Sequence, residues 1–106
     1  MELTPYFMSR EPRTIPFTPL QGQYLAFIRA YTLIHRQPPA ESDMQAFFRV
    51  TAPSVHRMVI TLAERGLIGR VPGKARSLHL LVSPGVLPYL HEPPAQGEMS
   101  SRRTRG

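Results

Sequence analysis

The chain has 106 residues, no cysteine, and 13 lysines and arginines against 7 aspartates and glutamates, for a net charge of +6. That length suits one domain with a modest core, the missing cysteines exclude disulfides, thiol catalysis and thiolate metal sites, and no run approaches the ~18 to 20 consecutive apolar residues that span a bilayer. The charge is concentrated: residues 49 to 76 hold Arg49, Arg57, Arg65, Arg70, Lys74 and Arg76 against Glu64 alone, which leaves +5 in that segment and makes a polyanion the expected partner.

Residues 1 to 17 carry Pro5, Pro12 and Pro16 and no apolar period. Each proline fixes φ and removes a donor, so an irregular N-terminal arm is expected. The basic then apolar order of a signal peptide is absent there, and a soluble, cytoplasmic, nucleoid-associated protein is expected.

Thr18 is placed as an N-cap with Pro19 at the first helical position, and the predicted helix runs to about Arg36, before Pro38 and Pro39. Leu20, Tyr24, Ile28, Tyr31 and Ile34 fall three or four residues apart, with Leu25, Phe27 and Leu33 widening the apolar stripe. A second, short helix is predicted over about Glu41 to Phe48, with Glu41 and Asp43 complementing its dipole and Met44, Phe47 and Phe48 forming its buried side.

Residues 50 to 53 read as a turn and Ser54 to Arg65 as a third helix closed by Gly66. Val55, Met58, Val59 and Leu62 set its core face, leaving Ser54, His56, Arg57, Thr61, Glu64 and Arg65 outside. The chemistry suits base edges: Arg57 can donate twice to guanine, Thr51 and Ser54 can bond a base or a phosphate, and the methyl groups of Thr51 and Ala52 can meet thymine. His56 and Thr61 are further donors and acceptors on the same side and complete the DNA-binding candidates of this helix. The same polar face is also what any solvated surface helix presents.

Leu67 to Val71 and Ser77 to Val82 are strand candidates joined by a turn over residues 72 to 76. Gly73, Lys74 and Arg76 then lie at the tip of a wing, where cations reach phosphates or the minor groove. Residues 83 to 91 either fold back on the domain or form a small contact surface, and residues 92 to 106, ending in a basic run, read as a disordered tail. The domain is thus placed at residues 18 to 82. The expected fold class is mainly α with a small β-hairpin, a three-helix winged helix-turn-helix.

Several stretches resemble the N-terminal DNA-binding domain of the LexA repressor family. They are TPLQGQYLAFIRAY from Thr18, QPP at Gln37 to Pro39, SVH at Ser54 to His56, LAERGLIGR at Leu62 to Arg70, and PGKARSLHLL up to Leu81. No single one is highly specific, since ERGLI followed by a hairpin occurs in many winged-helix families, and their order and spacing together carry the likeness. The resemblance implies a third helix in the major groove and a wing near the minor groove, with Thr51, Ala52, Ser54, His56 and Arg57 on the helix and Gly73 and Lys74 on the wing. Two departures are visible: the turn before the third helix is shorter and lacks the usual glycine, with Arg49 near that place, and the family's self-cleaving, dimerising second domain has no counterpart in these residues. Self-cleavage is therefore not expected. With no nucleophile paired to a base, no His pair at metal-binding spacing and no glycine-rich phosphate loop, neither enzymatic activity nor a cofactor nor a small-molecule ligand is expected.

These readings converge on a sequence-specific, double-stranded DNA-binding transcriptional regulator, expected to act as a homodimer because one small domain has a small footprint. The alternatives are a winged-helix protein-interaction module and a mobile-element accessory factor that binds DNA without regulating transcription.

Overall fold

The computed structural model describes residues 16 to 93; the predicted arm (but for its last two residues) and all but the first two residues of the predicted tail lie outside them. Helix α1 spans Pro19–His35. It starts where the sequence reading places it, because Thr18 Oγ1 accepts from the Gln21 N–H at 3.1 Å while Gln21 Oε1 accepts from the Thr18 N–H at 3.0 Å. That reciprocal pair satisfies two donors that a helix start otherwise leaves bare. The helix stops at Arg36, which turns left-handed at φ 59°.

Helix α2 spans Glu41–Phe48, as expected. Asp43 reaches back so that its carboxylate accepts from the Ala40 N–H at 2.8 Å. Arg49 closes α2 at φ 60°, donating its N–H to the Gln45 carbonyl at 2.9 Å. It thus takes a left-handed conformation that a glycine would adopt without strain.

Helix α3 spans Ala52–Glu64, two residues longer at its start than the sequence reading. Thr51 caps it, accepting from the Ser54 N–H, so Ala52 and Pro53 are its first two residues rather than part of a turn. Proline is tolerated there because the first turn's N–H groups have no helical partner. At the far end the Leu67 N–H reaches the Leu62 carbonyl and the Gly66 N–H reaches that of Ala63, which closes the helix.

The hairpin is shorter than expected. Strand β1, Ile68–Gly69, pairs antiparallel with β2, His79–Leu80, in the register Ile68 to Leu80 and Gly69 to His79. The predicted strands over 67 to 71 and 77 to 82 lose their inner residues because the Ser77 hydroxyl takes over the ladder: it accepts from the Val71 N–H at 2.9 Å and donates to the Lys74 carbonyl at 3.0 Å. Arg76, at φ 54°, also breaks the extended run just before β2.

One core joins all of these elements. Leu25 and Ile28 of α1, Met44 of α2, Val55, Val59 and Leu62 of α3, and Ile68 of β1 are fully buried. The Tyr24 and Phe48 rings stack at 4.0 Å, fastening α1 to α2. The apolar stripe of α1 is narrower than its periodicity implies. Leu33 and Ile34 are 61% and 72% exposed, and Leu20 is exposed as well. The helix overshoots the small core at both ends.

Residues 83 to 91 fold back onto α1. Gln23 clamps them, its Nε2 donating to the Tyr89 carbonyl and its Oε1 accepting from the His91 N–H, both at 2.8 Å. Gly22 permits the approach, since a Cβ there would meet the Phe17 ring at 3.0 Å and Pro88 at 3.1 Å. The observed architecture is mainly helical with a small antiparallel hairpin, in the order of a winged helix. No helix among the described residues is long and apolar enough to cross a membrane.

Candidate nucleic-acid interface

The exposed side of α3 begins at its cap. Thr51 Oγ1 accepts from the Ser54 N–H at 3.3 Å and donates to Ser54 Oγ at 3.0 Å. Both hydroxyls are exposed but serve each other first, so any outside ligand meets them as a pre-formed pair. Ala52 is exposed in the first turn and presents a bare methyl. Arg57 is exposed, and its guanidinium has no hydrogen bond or ion pair with the described residues. Thr61 is half-buried and donates its hydroxyl to the Arg57 carbonyl at 2.9 Å, which commits its proton to its own helix.

His56 has a partner that local spacing does not reveal. Its Nδ1 lies 3.2 and 3.3 Å from the two carboxylate oxygens of Glu41, at the first residue of α2. Both side chains remain well exposed.

Across from α3, Lys74 N–H donates to the Val71 carbonyl at 3.0 Å around Pro72 and Gly73, with Gly73 at φ 80°. Proline then a glycine of positive φ is the sequence of a type II turn, and it leaves Lys74 exposed and free of ion pairs with the described residues. Arg76 behaves differently from the phosphate-facing cation its place in the sequence suggests. Its Nη1 lies 3.1 Å from each of the Tyr31 hydroxyl, the Pro38 carbonyl and Asp43 Oδ2. The side chain turns inward and pins the wing to α1 and α2. Asp43 is the centre of this latch. The Ala40 N–H, and after it the Tyr31 hydroxyl and Arg76, hold its carboxyl below the usual aspartate range against the opposing effect of burial.

Between α3, the start of α2 and the wing lies a cleft of about 310 Å³, lined by Glu41, His56, Arg70, Lys74 and Arg76 among others. The structure therefore brings His56, Gly73, Lys74 and Arg76 to one cleft, while Thr51, Ala52, Ser54 and Arg57 lie on the adjoining exposed side of α3. Glu41 and Arg70 join the site although motif spacing did not select them. Arg70 was visible as charge, but Glu41 lies 15 residues from His56 and had no local signal. Among the described residues, no three His, Asp or Glu side chains gather as a metal set. No family model matches the chain.

Proposed function

We propose that this protein binds double-stranded DNA in a sequence-specific way and regulates transcription by occupying a promoter or operator, as its resemblance to LexA-type DNA-binding domains implies. The observation that carries this reading is that neither Arg57, on the exposed side of α3, nor Lys74, on the wing beside the adjoining cleft, makes a side-chain hydrogen bond or ion pair with the described residues. Cations left without partners on a helix and an adjacent wing suit a groove and the phosphates beside it. In this reading the start of α3, with Ala52, the Thr51–Ser54 pair, His56 and Arg57, reads bases. Gly73 and Lys74 carry the wing contact, and Arg76 holds the wing in place.

The test is binding of duplexes selected from a random pool, measured by fluorescence anisotropy at fixed salt. Arg57→Ala is expected to weaken binding by about tenfold or more and to relax the preference at one base position, as the loss of a bidentate contact does. Lys74→Ala is expected to weaken all sequences alike and to reduce the slope of log affinity against log salt by about one. Unchanged binding in both variants overturns the assignment. A protein-interaction module is the second reading, favoured by the exposed Leu33, Ile34 and Tyr89, and absence of duplex binding by the wild type at moderate salt would support it.

A further inference from the structure

The geometry points to Glu41 as a specificity-determining residue that sets which nitrogen of His56 carries the proton, and so which base edge His56 can read. This rests on the DNA-binding reading of α3. A carboxylate only accepts hydrogen bonds, and the Glu41 oxygens lie 3.2 and 3.3 Å from His56 Nδ1. The proton of the neutral ring must therefore sit on Nδ1, which donates it to Glu41. Nε2 is left as a bare acceptor, with no hydrogen bond to the described residues. Glu41 belongs to α2 and makes no base contact of its own in this arrangement. It is a positioning residue acting through His56.

The consequence is a reader whose hydrogen-bond polarity is set by its tautomer. In the neutral ring, Nε2 accepts, and the major-groove groups that donate are the exocyclic amines of adenine and cytosine. In the other neutral tautomer Nε2 donates instead, which suits guanine N7 and O6 or a phosphate oxygen. The other charged groups around His56 are Arg57, next to it on α3, and Arg70, Lys74 and Arg76, which line the cleft from the wing. Arginine and lysine only donate, so among the residues lining the cleft Glu41 alone offers His56 a carboxylate to hold that proton.

Two measurements on the full chain test this, one without DNA. Long-range proton–nitrogen NMR correlation at about pH 8, with His56→Gln to identify the signals, is expected to show His56 protonated at Nδ1. Glu41→Gln, whose amide offers both a carbonyl and an NH₂, is expected to give a mixture of tautomers. In selections from a random duplex pool at about pH 8, one position of the wild-type consensus is expected to favour adenine or cytosine over guanine by roughly five- to tenfold. In Glu41→Gln that preference is expected to fall below about twofold. A wild-type His56 protonated at Nε2, or the same base preference in Glu41→Gln as in the wild type, overturns the role of Glu41 while leaving the DNA reading in place. Enrichment of no sequence overturns the DNA reading and the base preference with it, whatever the tautomer.

Discussion

Arg49 shows how a single residue bends the helix-turn-helix to its needs. It sits at φ 60° between α2 and α3, exposed, in the region where a side chain crowds its own backbone by about 1 to 2 kcal/mol. Glycine relieves that crowding but has more freedom to lose on folding, by about 0.5 to 1 kcal/mol. Arg49→Gly is therefore expected to raise stability by about 0.5 kcal/mol net. Arg49→Val, β-branched and stiff, is expected to lower it by about 1 kcal/mol or more. Urea denaturation of the three proteins should rank their midpoints glycine, arginine, valine, and any other order means that the turn relaxes around the side chain. That no glycine stands between α2 and α3 was legible in the sequence. That Arg49 itself adopts the left-handed conformation was not, because φ there is set by how α2 and α3 must dock.

At the scale of elements, Asp43 ties three of them together: it caps α2 through the Ala40 N–H and meets Tyr31 of α1 and Arg76 of the wing. Because the folded protein holds this carboxyl below its ordinary pKa, the unfolded chain binds the proton more readily, and stability rises with pH through the acid range. The contribution is complete above the unfolded aspartate value of about 3.9 and is lost as pH falls below it. Asp43→Ala is expected to cost about 1 kcal/mol at neutral pH from the cap alone. It should also flatten the fall in stability between about pH 5 and 3, measured by thermal unfolding across that range. An acid limb as steep as that of the wild type would mean that other carboxylates dominate it. The elements themselves were largely readable beforehand. Thr18 with Pro19, and Gly66 after α3, are local signals, and α1 begins and α3 ends close to where those signals lie. The short β strands were not, since Ser77 and Arg76 end the ladder through contacts within and beyond the wing.

For the whole molecule, the segment after the hairpin matters as much as the wing. Gln23 holds it by two hydrogen bonds, with Leu87 and Leu90 packed partly against the core. Gln23→Ala is expected to cost about 1 kcal/mol and to speed amide hydrogen exchange at residues 87 to 91 while leaving α3 protected. Equal protection in both proteins would show that apolar packing alone seats the segment. The sequence by itself determined the three helices, their order before a hairpin, the core face of α3 and the concentration of positive charge on the last half of the domain, because caps, periodicity and charge act over a few residues. Tertiary structure decided which cations stay free and which are spent. Arg76 meets Tyr31 across 45 residues, Gln23 meets Tyr89 across 66, and Glu41 meets His56 across 15. Such pairs depend on where whole elements come to rest, and that is settled by burial of the shared core, which no local pattern encodes.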